Sequence, residues 1–264
     1  MSSFQLLKWY ADLVDDATGE LFICYDSELR WRGLAWRFAS FLRCLPAGRA
    51  HTRHAFLGAG PSPHLSPDAQ EFRLVQPQLR GHWQQRATPL HEVLLDTDRG
   101  QVRWECWQPA ATARLETTDT VYNGWGYVER LTLTLKPWHL PIEQLRWGRF
   151  VAPGHCLVWI RWDGPAPRHL IFYNGQRHAN TGQITDDEIT LPHHRLLLAQ
   201  PHPLRTGAVG STVFGRFPAF RQLLPARILR LRETKWLSQA TFLTEAGVAL
   251  ATGPAVHELV EWPT

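Results

Sequence analysis

The densest group of residues able to do chemistry runs Asn123-Gly124-Trp125-Gly126-Tyr127-Val128-Glu129. Two glycines let the backbone bend or approach something closely. On an extended strand Tyr127 and Glu129 fall on one face. Leu131, Leu133 and Leu135 continue that face, which points it toward an apolar interior. A carboxyl group on an apolar face is desolvated, its pKa rises, and it becomes a proton donor near neutrality. On this reading Glu129 is the acid and Tyr127 orients it. An internal ion pair between Glu129 and one of the many arginines accounts for the same pattern equally well.

A second group spans Leu145-Arg146-Trp147-Gly148-Arg149-Phe150 and Leu157-Val158-Trp159-Ile160-Arg161-Trp162. Trp147 and Arg149 share one face of their strand, and Trp159 and Arg161 share one face of the next. Inward-pointing Trp and Arg in a closed sheet would make a pocket with π surfaces and fixed positive charge, suited to a long apolar or polyene ligand. Trp faces can also stabilise a passing carbocation. Trp125, Tyr173 and the closing-strand Glu258 complete the expected substrate-binding set. A solid Trp-rich core with arginines stacked on rings is the competing account. Standard motifs are missing: there is no GxGxxG, P-loop, GxSxG or HExxH. His193, His194 and His202 come nearest to a metal cluster, but on Pro-flanked segments without an acidic or Cys partner at ligand spacing. No metal and no cofactor are expected.

The elements that must position these residues are short strands. The chain has 264 residues with 13 Trp and a formal net charge of +4. Among 28 Lys and Arg only Lys8, Lys136 and Lys235 are lysine, and the arginines are dispersed rather than massed into a phosphate-tracking stripe. No nucleic-acid partner is expected. Every apolar stretch is broken well short of the ~18 residues a membrane span needs. Met1 to Tyr10 does not read as a secretory leader, and four cysteines outside any CxxC spacing read as reduced thiols of a cytoplasmic protein.

Phe4 to Asp15 reads as an amphipathic helix, followed by a turn at Asp16-Ala17-Thr18-Gly19. Leu21–Tyr25 and Leu29–Leu42 read as strands joined by Asp26-Ser27-Glu28, and Pro46 to Asp68 as a loop. Hairpins are expected at Thr97-Asp98-Arg99-Gly100 and Asp163-Gly164-Pro165, and a short helix over Phe217 to Leu224. Regularly spaced short strands argue for an all-β sandwich or barrel. A boundary near Asp119 to Gly126 gives two domains, 1–120 and 121–264. Leu29-Arg30-Trp31-Arg32-Gly33 is faintly echoed by Ile160-Arg161-Trp162-Asp163-Gly164.

Trp104-Glu105-Cys106-Trp107-Gln108-Pro109-Ala110, the Gly126-Tyr127-Val128-Glu129 turn, the Trp147-Gly148-Arg149 step and the closing His257-Glu258 strand together resemble the carotenoid hydratase (hydroxyneurosporene synthase) family. That family is related to lipocalin-like proteins including tocopherol cyclase. The chain departs from the compact Gly-Tyr-x-Glu/Asp-x-x-Trp-Gly form of those relatives, since Trp147-Gly148 lies well after Glu129. The resemblance implies two lipocalin-like antiparallel β-barrels or half-barrels packed together, with one or two short helices. It also implies metal-free, cofactor-independent hydration, cyclisation or isomerisation of an isoprenoid or polyene double bond, started by an acid. The expected partner is an apolar small molecule, with transient contact to a membrane surface. A non-catalytic carrier of a hydrophobic pigment or lipid is the alternative.

Overall fold

The computed structural model describes residues 4–46, 48–55, 60–212 and 224–263. It is all-β apart from a 3-10 turn, Pro137–His139, and short helices at Val209–Thr212 and Ala226–Leu229. The helix expected over Phe217 to Leu224 lies, except for Leu224, outside the described residues. No helix among the described residues is long and apolar enough to cross a membrane.

The chain forms two compact units, Met1–Lys136 and Pro137–Thr264. The first contains β1 (Phe4–Asp15), β2 (Leu21–Trp31), β3 (Leu34–Cys44), β4 (Ala50–Ala55), β5 (His64–Leu65), β6 (Glu71–Gln76), β7 (Leu79–Gln85), β8 (Leu90–Thr97), β9 (Gly100–Thr117) and β10 (Val121–Leu133). These make one antiparallel sheet in the order β4-β3-β2-β1-β10-β9-β7-β6-β5, with β8 also paired to β9. The second unit contains β11 (Gln144–Ala152), β12 (His155–Asp163), β13 (Arg168–Tyr173), β14 (Gln176–Ala179), β15 (Gln183–Ile184), β16 (Glu188–Leu191), β17 (His194–Ala208), β18 (Arg232–Thr244) and β19 (Ala249–Glu261). Its order is β14-β13-β12-β11-β19-β18-β17-β16-β15. In both units the first strand pairs with the last and hairpins run outward on either side.

Both sheets curl. Trp9 on β1 and Phe72 on β6 are four strands apart, about 19 Å on a flat sheet, yet their ring centroids are 5.0 Å apart. Tyr173 on β13 and His194 on β17 are five strands apart, about 24 Å when flat, and their rings meet at 5.4 Å. Each sheet therefore wraps its own apolar cluster: Trp9, Ala11, Leu13, Phe22, Phe72, Trp83 and Val128 in the first unit, and Phe150, Leu157, Trp159, Ile171 and Phe242 in the second.

Four expectations are corrected. Phe4–Asp15 is a strand, because Trp9, Ala11 and Leu13 face the core while Tyr10, Asp12 and Val14 are buried on the reverse face. A strand buried on both sides shows no alternation, and its run of apolar residues imitates a helical stripe. The polar Asp26-Ser27-Glu28 lies inside β2, where Arg37 satisfies Asp26 at 2.6 Å. The turn comes later, at Arg32 and Gly33, both with positive φ. The loop expected over Pro46 to Asp68 contains β4 and β5. The division falls between Lys136 and Pro137 rather than between residues 120 and 121, since β10 is zipped between β1 and β9. The hairpins at Thr97–Gly100 and at Asp163–Pro165 form where expected.

Two tryptophans fill the half-barrels by lying across glycines. Trp83 is fully buried over Gly126, and its Nε1 donates to the Asp12 carbonyl at 2.7 Å. Trp159, also buried, lies over Gly148, the residue opposite it on β11. A methyl group at either glycine would run into the indole. Trp159, expected to line a pocket, is packed solid, and so is Trp83. Gly126→Ala and Gly148→Ala should each cost about 1–3 kcal/mol, the usual penalty for overpacking, read as a lower urea midpoint. Unchanged midpoints in both would show that the indoles are not seated there.

Candidate functional site

Strand β10 divides its side chains between two faces. Tyr122 and Val128 join the core cluster, and Gly126 lies beneath Trp83. Trp125, Tyr127 and Glu129 therefore share the reverse face. The apolar interior expected around Glu129 is thus not the core of the half-barrel, to which this strand contributes Tyr122 and Val128. Glu129 lies among tyrosines and an indole. Its Oε2 accepts the Tyr127 hydroxyl at 2.7 Å and Trp104 Nε1–H at 2.5 Å. Irregular register between β9 and β10 around Val128 places Cys106 opposite Glu129 and Trp104 two residues further along, opposite Leu131. The neighbouring Arg130, on the core side, closes on Glu105 at 2.8 Å and lies over Trp9 and Trp107.

Strand β1 answers with a matching pair. Tyr10 lies opposite Glu129, and Asp12 opposite Tyr127. The Tyr10 hydroxyl donates to Asp12 Oδ2 at 2.8 Å, so Tyr-x-Asp on one strand runs antiparallel to Tyr-x-Glu on the other. Tyr10 meets Tyr127 and Tyr25 edge-on at 5.9 and 5.3 Å, and Lys8 Nζ sits 4.8 Å above the Tyr25 ring. Asp12 is fully buried. Burial, followed by the nearby Cys106 and Glu129, holds the Tyr127 phenol well above its ordinary pKa, so it stays a proton-bearing donor. A helical pattern over residues 4–15 hides Asp12 and Tyr10, which the strand places on one face. The repeated Tyr-x-acid spacing was the signal available.

In the second unit the expected binding set does not converge. Gly148 and Trp159 are directly opposed, so they share a side, and Trp147 and Arg149 must point to the other. Trp147 lies opposite Glu258, which pairs with Lys235, and the Lys235 ammonium is 5.1 Å from the Trp147 ring. Arg149 is fully buried and donates to the Pro254 carbonyl at 3.3 Å. Trp159, Arg161 and Tyr173 belong to the core side. Arg161 binds Asp163 and the Ile184 carbonyl, and the Tyr173 hydroxyl meets His155 Nδ1 at 2.9 Å. Alternation thus splits the six residues three and three.

The core side of the second unit also holds a buried polar pair missed in the sequence. His257 Nε2 lies 2.8 Å from Ser238 Oγ, and the ring stacks on Trp236 at 5.1 Å. Burial pushes the His257 pKa down to about 4; Asp186 opposes the shift and Lys235 adds to it. The four cysteines are free and buried, and burial pushes the Cys156 thiol up to about 12. Because His257 refuses its proton when folded, the unfolded chain binds more protons below pH 6.5. Stability is therefore full above pH 6.5 and is lost as pH falls toward 4, by about 3 kcal/mol for this residue. Urea midpoints of a His257→Asn variant should fall less steeply over that window than those of the unaltered protein. An equal slope would contradict the assignment.

No family model matches the sequence, and no curated protein matches it. Solved structures do. CghA with Sch210972 bound aligns at a TM-score of 0.57 and 9% identity, over 98% of this chain and 89% of that one. Kievitone hydratase from Nectria haematococca aligns at 0.56 and 7%, over 98% and 90%. A putative AttH from Nitrosomonas europaea aligns at 0.54 and 9%, over 97% and 92%. Identities this low establish the fold, the lipocalin-like all-β arrangement that the sequence resemblance implied.

Proposed function

We propose that this protein acts on an apolar small molecule of isoprenoid or polyene type, with Glu129 delivering a proton to a carbon–carbon double bond. The observation that carries this reading is the meeting of Tyr127 O–H and Trp104 N–H on one oxygen of Glu129. Two of the solved structures similar in fold support an apolar small molecule as substrate: one is named a hydratase, and the other is CghA holding Sch210972.

An apolar substrate laid against the carboxyl group removes water from it and favours the neutral acid. The acid proton passes to one alkene carbon, leaving a cation on the other. Tyr127 and Trp104, already aimed at Oε2, stabilise the carboxylate left behind, as preorganised donors do. An indole face beside the cation adds attraction. Water then captures the cation, or a neighbouring proton is lost, or a second double bond attacks it and passes the charge to a new carbon that in turn loses a proton or takes up water. In each case one proton returns to Glu129, so hydration, cyclisation and isomerisation all close the cycle without a cofactor.

A carrier is the second reading. It is favoured by the same two donors, since a carboxylate so held also serves to pin β9 to β10. The two separate on a panel of acyclic isoprenoids and polyenes followed by mass spectrometry. Catalysis predicts conversion that Glu129→Gln lowers about 100-fold or more, within the usual range for removing a general acid, while binding persists. Tyr127→Phe should lose about tenfold. A carrier binds the panel and yields no product, and full turnover by Glu129→Gln would remove Glu129 from the chemistry.

A further inference from the structure

We infer that a pocket built wholly from the second unit binds a small organic acid, a carboxylate carried on an aromatic or compact apolar body. The pocket encloses about 420 Å³ and is lined by Ile142, Glu143, Arg227, Arg230, Trp262 and Pro263. That volume is in the range of small-molecule sites.

Three observations define its chemistry. The Trp262 backbone N–H donates to the Glu143 carbonyl at 2.9 Å, fastening the segment after β19 to the segment before β11. Its indole Nε1–H is nevertheless buried without a hydrogen-bond partner. Native structures rarely leave such a donor unmet. Arg227 and Arg230 stand three residues apart on the helix Ala226–Leu229 and its C-cap, both exposed. Arg227 donates to the Trp138 carbonyl at 3.3 Å, and neither arginine forms an ion pair among the described residues. With Glu143 as the single carboxylate of the lining, two guanidiniums leave room for one negative charge. A guanidinium fork matches a carboxylate in two-point geometry. Ile142, the indole face and Pro263 supply an apolar wall that inorganic anions cannot use.

The probe is 1-naphthoate, titrated calorimetrically into the full chain, with 1-naphthylmethanol and inorganic phosphate as comparisons. Saturable binding of one naphthoate is expected, at least tenfold tighter than either comparison. Arg230→Gln and Arg227→Gln, both at exposed positions, should each weaken it about tenfold, the loss of one charge-assisted hydrogen bond. Trp262→Phe, which keeps a ring and removes the donor, should weaken it severalfold. Absence of saturable binding, equal binding of the alcohol or of phosphate, or an affinity indifferent to both arginine substitutions would overturn the proposal.

Discussion

The Trp83 indole, laid across Gly126 with its N–H on the Asp12 carbonyl, ties together three strands on which the site depends. It reaches from β7 to the join of β1 and β10. With the indole and Val128 on the core side, alternation sends Tyr127 and Glu129 to the other side, and the register then sets Tyr10 against Glu129 and Asp12 against Tyr127. The polar face is in this sense the reverse print of the core. A single missing Cβ decides both, because any larger residue at 126 would displace the indole and slacken the pairing that aligns the acids.

The second unit repeats the device with different chemistry. Trp159 covers Gly148, the first strand again pairs with the last, and Glu258 opposes Trp147 as Glu129 opposes Tyr10. The faint echo between Leu29–Gly33 and Ile160–Gly164 falls at the end of the second strand of each unit. Glu129 meets neutral donors, whereas Glu258 meets the Lys235 ammonium. Breaking a buried ion pair costs several kcal/mol. The neutral donors on Glu129 fit the proton transfer proposed for it, and the ion pair at Glu258 serves cohesion.

Much of this was legible in the residues. Strand spacing predicted an all-β chain, the turn chemistry at Thr97–Gly100 and Asp163–Pro165 predicted real hairpins, and Tyr127 and Glu129 were placed correctly on one face. The misreadings that matter most to the site share one physical reason. Periodicity reports which residues are apolar, and it cannot tell two buried faces apart. That hid Asp12 inside a supposed helix and merged Trp147 and Trp159, which back onto opposite sides of the same sheet, into one imagined wall. Of the two partners of Glu129, Tyr127 is on its own strand, whereas Trp104 comes from β9, 25 residues earlier, through an irregular register that no spacing rule encodes.

The central claim is that a proton passes from Glu129 to carbon. Its most direct measurement is turnover of an accepted polyene or isoprenoid in D₂O, with the product analysed by mass spectrometry and NMR. The account predicts one deuterium bonded to a former alkene carbon, in product made by the unaltered protein and absent with Glu129→Gln. Product formed without carbon-bound deuterium, or labelled equally by both proteins, would contradict it.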